Sequence, residues 1–209
     1  MHETVARYYS EKLREHGATP RGVDWNSAES QTLRFAALLR ILDIERGGAH
    51  RDQPVSINDY GCGYGALLDH LVATGTPVSY CGFDISHAMI DAARARHAGN
   101  ARASFTGDAE QLPLAEYTVA SGVFNVKLRH ADAEWHAYVW RTIEHLDAVS
   151  RRGFAFNLLS TYSDQDKRRP DLHYADPLDM FDRCKRHLSP RVALLHDYPL
   201  YEFTLLVRK

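Results

Sequence analysis

Two hydrophobic periods alternate along the chain. From residue 3 to about 16, Val5, Tyr8, Tyr9 and Leu13 recur at helical spacing. Residues 17–24, with two glycines and Pro20, interrupt that pattern. Asn26 followed by Glu29 has the form of a capping box and predicts a second helix, buried through Leu33, Phe35, Leu38, Leu39, Ile41 and Leu42. Beyond Pro54 short β-rich runs take over. Residues 55–60, 78–84, 103–106, 119–126 and 154–159 read as strands. Between them lie predicted helices at 66–72, from Ser86 to about 97, and at 134–149. Asp176-Pro177 opens a further helix ending near Leu188, since proline suits the first helical position. Strands at 192–196 and 203–207 close the chain around Pro199.

Strands alternating with helices predict an α/β fold, a doubly wound, seven-stranded, mostly parallel sheet. The last link is too short for a parallel crossover, so the final two strands are expected as an antiparallel hairpin. Residues 1–50 then form an N-terminal helical cap over the carboxyl edge of a core at 55–209, all within one domain. The hydrophilic stretches 47–54 and 163–171 are too short to be linkers.

Composition narrows the setting. At 209 residues, 44% hydrophobic and 25% charged, the chain reads as globular rather than disordered. A net charge of −2 argues against a surface built for nucleic acid. Cys62, Cys81 and Cys184 are odd in number and form no CxxC, and no HxH or HExxH pair appears, so neither disulfides nor a metal site is expected. No run approaches the ~20 apolar residues that span a bilayer. The expectation is a cytoplasmic monomer or homodimer acting away from membranes.

The chemistry concentrates in Asp59-Tyr60-Gly61-Cys62-Gly63-Tyr64-Gly65, between a predicted strand and a predicted helix. Glycines there let the backbone turn sharply and approach a ligand closely. The pattern is GxGxG rather than the pyrophosphate-binding GxGxxG, and no GK[ST] follows. Asp59 suits an ammonium group better than a phosphate. Asp84, at the next strand end, stands where an acid takes ribose hydroxyls. Asp108, after the third strand, suits an exocyclic amine. Together the three acids describe a ligand with an ammonium, a ribose and an adenine.

These stretches resemble the class I S-adenosylmethionine-dependent methyltransferases. Asp59 to Gly65 matches that family's [DE]xGxGxG motif. Asp84-Ile85-Ser86-His87-Ala88-Met89 is similar to its D-x-S-x-x-M signature, and Gly107-Asp108-Ala109-Glu110-Gln111-Leu112-Pro113 to its G-D-A-x-x-L-P segment. The resemblance spans about residues 55–159. It implies that Asp59, Gly61, Gly63 and Gly65 hold the methionine part of S-adenosylmethionine and Asp84 its ribose. Ile85 and Met89 would flank the adenine, and Gly107, Asp108 and Ala109 would meet its amine. Asn125, at the expected end of the fourth strand, would lie near the sulfonium. Tyr117-Thr118 departs from the aspartate that often enters that strand.

In the cap, Arg34 is expected at the cofactor carboxylate, as in similar methyltransferases, with Gln31 and Trp25 as further contacts. The implied activity is methyl transfer to an O or N atom of a small-molecule acceptor. His173 and Asp197 are the candidate general bases for a hydroxyl acceptor, and Asn125 is a contact for an amine. Tyr174 falls where substrate loops often sit, while His196-Asp197-Tyr198 reads first as a buried strand end that could also border the pocket. Cys62 reads as a small buried residue and Lys167-Arg168-Arg169 as a solvated loop. Two other readings stay open: a non-catalytic S-adenosylmethionine sensor or partner subunit, and an NAD-dependent dehydrogenase.

Overall fold

The computed structural model describes residues 2–42 and 54–209. Most of the predicted stretch 47–54, and the end of the predicted cap, therefore lie outside the described residues. One sheet organises the chain. In chain order its strands are β1 (Val55–Tyr60), β2 (Val78–Phe83), β3 (Ala103–Thr106), β4 (Ala115–Ala120), β5 (Ser150–Ser160), β6 (Tyr174–Ala175), β7 (Arg191–Leu195) and β8 (Glu202–Arg208). Their spatial order is β3-β2-β1-β4-β5-β8-β7, with β6 attached to β5. Neighbours from β3 to β5 run parallel, whereas β8 lies antiparallel to both β5 and β7. The expected hairpin is present, with Val192 opposite Val207. The eighth strand is the two-residue β6, too short to leave a hydrophobic period.

Among the described residues six α-helices accompany the strands: α1 (His2–His16), α2 (Ala28–Leu39), α3 (Ala66–Ala73), α4 (His87–Arg96), α5 (Asp132–Ala148) and α6 (Pro177–His187). Period-two alternation sends neighbouring strand residues to opposite faces. In β5, Phe154, Phe156 and Leu158 join Trp135, Val139 and Ile143 of α5 and Met180 and Cys184 of α6. Ala155 faces the other way, with Leu206, into a cluster holding Phe35 and Leu38 of α2 and Leu67, Leu68 and Leu71 of α3. Both faces of the sheet are thus covered, as parallel strands require.

Several boundaries shift from the predicted ones; β5, for example, begins at Ser150 rather than 154, and two shifts bear on the site. The cap of α2 is Ser27, whose hydroxyl accepts from the Ser30 amide at 3.1 Å, one residue after Asn26. The fourth strand is Ala115–Ala120 rather than 119–126. Tyr117 pairs with Ile57 in register, and the chain leaves the sheet at Ser121-Gly122, where φ of Gly122 is 74°. A Cβ on Gly122 would meet the Trp25 ring at 2.3 Å, so both its conformation and its neighbour demand glycine. The apolar residues Val123, Phe124 and Val126 belong to the loop that follows, and their hydrophobicity made loop and strand look continuous.

Phe156, fully buried between α5 and β8, gives a direct test of this packing. Phe156→Ala is expected to cost about 3–5 kcal/mol of folding stability, read as a lower urea midpoint with an unchanged slope.

Candidate functional site

The carboxyl ends of β1, β2 and β4 open into a cleft roofed by the N-terminal segment. Val5 and Tyr9 of α1, Val23, Trp25 and Gln31 line it from above; Asp59, Gly61, Gly63, Asp84, Ile85, Met89 and Gly122 line it from the sheet. The turn is tied down before any ligand enters. Gly61 and Cys62 amides donate to the Phe83 carbonyl at 2.7 and 2.8 Å. Gly61 has φ of 81°, and a Cβ there would fall 2.1 Å from Val123.

Two buried carboxylates face this cleft. Asp59 is 2% exposed, and the Tyr80 hydroxyl donates to its Oδ2 at 2.6 Å. Asp84 is 8% exposed; Oδ2 accepts from the Gly63 amide at 2.9 Å and Oδ1 from the Ser86 amide at 2.8 Å. No ion pair among the described residues neutralises either. Burial consequently pushes Asp59 up to about 7, against the pull of the Tyr80 hydrogen bond, and Asp84 up to about 6, against its two amide donors.

Other predicted site residues are placed less uniformly. Gln31 is buried, with Tyr64 donating to its Oε1 at 3.4 Å. Gly65 caps α3 outside the lining. The acid at the third strand end does not join the other two. Asp108 is exposed, and its carboxylate accepts from the Glu110 amide and the Gln111 side chain, capping a 3-10 turn at Ala109–Gln111. Gly107 and Ala109 likewise lie outside the cleft lining.

Arg34 differs most from expectation. Its guanidinium forks onto Glu202 of β8, Nε at 2.9–3.0 Å and Nη2 at 2.6 Å, and it stacks 3.8 Å from the Trp25 ring centre. Asn157 donates to Glu202 Oε2 at 2.5 Å and accepts from the Gly122 amide at 2.7 Å. A buried chain of contacts therefore runs from the cap, through β8 and β5, to the loop after β4. The sequence offered one overlooked signal for it: Asn157 interrupts the apolar run 154–159 of β5, and Glu202 opens β8 just before the largely apolar run 203–207.

A second cavity, about 360 Å³ in volume, adjoins the first and shares Tyr9, Val23, Trp25 and Gly122 with it. Arg34, Asn125, Lys167, Arg169, Tyr174 and Glu202 also line it. Asn125 sits in the loop beyond β4 rather than at a strand end, with its Oδ1 accepting from the Leu159 amide at 3.2 Å. Lys167 and Arg169, expected on a solvated loop, border this cavity. His173 and Asp197 line neither space. His173 is buried against the His136 ring at 4.9 Å, and burial, chiefly, lowers it to about 4, a poor match for a general base. Asp197 is exposed beyond β7.

Comparison with known proteins follows the same lines. A family profile described as "Methyltransferase domain" matches residues 57–148. The protein "Putative methyltransferase Rv1506c" of Mycobacterium tuberculosis is 56% identical over 156 residues, which cover 75% of this chain and 94% of that one. Among solved structures, the complex of DhpI with SAH aligns at TM-score 0.64 and 16% identity, over 99% of this chain and 96% of the other. Magnesium protoporphyrin IX methyltransferase of Synechocystis PCC 6803 with bound SAH aligns at TM-score 0.62 and 17% identity, over 87% and 83%. At these identities the two structures establish likeness of fold.

Two measurements probe the site. Replacing Arg34 alone by Met strands the buried Glu202 charge and is expected to cost about 3–5 kcal/mol of stability. Arg34→Met with Glu202→Met should recover much of that loss in chemical denaturation. The second concerns pH. The raised carboxyls of Asp59 and Asp84 hold protons in the folded chain that the unfolded chain has released, so the stability they contribute is lost as pH rises through 6–7. His173, lowered in the fold, acts oppositely but only below about pH 6.5. Between pH 6 and 8 the ligand-free protein is expected to lose on the order of 1 kcal/mol through Asp59, or about 2–4 °C in melting temperature. Asp59→Asn should flatten that slope.

Proposed function

The chain belongs to the class I S-adenosylmethionine-dependent methyltransferases, and on that premise we propose that the cleft at β1, β2 and β4 seats S-adenosylmethionine while the adjoining cavity seats a small acceptor methylated on an O or N atom. Family membership removes the dehydrogenase alternative. The observation that carries the site reading is the pair of buried carboxylates, Asp59 and Asp84, with no cation beside them among the described residues. An ammonium and a ribose diol supply the positive charge and the donors that such groups lack.

In this reading Asp59 holds the ammonium, its second oxygen fixed by Tyr80. Asp84 takes the ribose hydroxyls and is itself aimed by the Gly63 and Ser86 amides. Ile85 and Met89 provide apolar contact for the adenine, leaving Asp108 as a cap of its own turn. Gly61 and Gly63 let the ligand approach the backbone. Gln31 and Trp25 close the cleft from the cap. Arg34 acts through Glu202 and Trp25, setting the roof and the loop after β4 rather than gripping the cofactor carboxylate.

When bound, S-adenosylmethionine supplies a methyl group on a positively charged sulfur, already activated for in-line displacement. The chain's own work is alignment and exclusion of water. With the cap seated the cleft holds about 80 Å³, whereas pockets for such ligands typically hold about 300–1,000 Å³. Seating the cofactor therefore requires the cap to move outward and return. Tyr9, Val23 and Trp25 border both spaces and shield the transfer point from solvent. Neither His173 nor Asp197 serves as a base here, so a hydroxyl acceptor would lose its proton to another group or to solvent.

The protein contains three free cysteines, all buried, and no described helix is long and apolar enough to cross a membrane. A reducing cytoplasm fits both facts, and we place the protein there.

Calorimetry with S-adenosylhomocysteine tests the assignment. Binding should strengthen as pH rises from 5.5 to 8, because the ligand is taken by the charged carboxylates. Asp84→Ala should weaken it by ~1–3 kcal/mol. Unchanged affinity in that variant would refute the ribose placement. Binding without methyl transfer to any acceptor would favour the sensor reading over the enzyme.

A further inference from the structure

We infer that the acceptor carries an oxyanion, a carboxylate or a phosphate, which Lys167 and Arg169 hold in the second cavity; this rests on the reading of the first cleft as the cofactor site. The cavity's 360 Å³ falls in the range of small-molecule pockets, about 300–1,000 Å³. Its shared wall of Tyr9, Val23, Trp25 and Gly122 brings its contents next to the cofactor cleft.

Five charged residues line this cavity: Asp24, Arg34, Lys167, Arg169 and Glu202. The two acids are already engaged. Lys12 sits 3.2 Å from Asp24 Oδ1, and the Tyr8 hydroxyl donates to Oδ2 at 2.8 Å. Glu202, 1% exposed, is clasped by Arg34 and Asn157. Neither acid has charge left to attract a cationic ligand, and Arg34 has none left to attract an anion.

The two remaining bases are held differently. Among the described residues Lys167 approaches only Asp166, at 3.3 Å, with both side chains more than 60% exposed. A solvent-exposed pair of this kind contributes about 0–1 kcal/mol, so a ligand oxyanion displaces it at small cost. Arg169 is held more firmly: it forks onto Asp171 at 3.1 and 2.5 Å, with the Tyr8 hydroxyl and Asp24 also near it, so a ligand has to share or exchange these contacts. Lys127 also lies near enough to Asp171 to favour its charge, so the acid keeps a cationic neighbour when Arg169 turns to a ligand. Arg169 further offers the planar fork that matches a carboxylate or phosphate. Tyr174 and Tyr201 add flat surfaces around this positive end.

The test uses protein saturated with S-adenosylhomocysteine and titrated with matched pairs, phenyl phosphate against phenol and benzoate against benzyl alcohol. The charged member of at least one pair should bind tenfold or more tightly than its neutral partner, and added salt should erode the preference. The two pairs distinguish phosphate from carboxylate. Lys167→Ala, on an exposed turn, should remove most of the preference, as should Arg169→Ala, with affinity for S-adenosylhomocysteine as the folding control. Equal binding within both pairs, no binding of either anion, or a preference that survives in Lys167→Ala would overturn the inference. Failure of S-adenosylhomocysteine itself to bind would instead strike the cofactor reading and take this one with it.

Discussion

A carboxylate taken out of water without a cation beside it is costly, and both β1 and β2 end in one. Asp59 and Asp84 are relieved only by a tyrosine hydroxyl and by backbone amides, which leaves each partly protonated near neutrality. The sheet tolerates this because two strands running parallel deliver both acids to the same edge, where the glycine turn exposes backbone donors to one of them. The ligand-free fold is thereby under electrostatic stress that a cationic, hydroxyl-rich ligand relieves.

A second polar system, Arg34, Glu202, Asn157 and Gly122, answers a different problem. The loop after β4 lies under the helical cap and has to be held in one arrangement. A relay of contacts, from Arg34 to Glu202 to Asn157, ends on the Gly122 amide of that loop, and Trp25 packs on Gly122 where no side chain would fit. A buried pair of this kind adds little net stability over apolar residues of the same shape. It does fix one arrangement, since a shifted register would leave Glu202 charged and alone. The network's Gly122 borders both cavities, and its Arg34 and Glu202 line the second. By engaging Glu202 it also leaves Lys167 and Arg169 as the available charges of the outer space.

The order of helices and strands was legible in the chain, because burial imposes periods of 3.6 and 2.0 that local composition records. The acid-glycine turn, Asp84 and the cap of α4 by Ser86 were legible for a similar reason: each depends on residues within a few positions of one another. The end of β4 was not, since Phe124 and Val126 are buried and Val123 half-buried in a loop, and they carry the same hydrophobic signal as a strand. Nor did the chain reveal that Asp108 turns back to cap its own turn, a choice between two local acceptor roles that the cleft's shape decides.

What tertiary structure alone decided is where distant side chains meet. Arg34 and Glu202 are 168 residues apart, and no spacing rule relates them; only the insertion of β8 beside β5 brings the acid under the cap. Tyr80 reaches Asp59 because parallel register sets β1 against β2. Lys167 and Arg169 border a cavity while remaining exposed to water, because the segment after β5 runs back beside it. Sequence determined the elements and the short-range chemistry, since those follow from neighbours along the backbone. The pairing of charges across the fold, and hence which of them remain free for a ligand, follows from strand order.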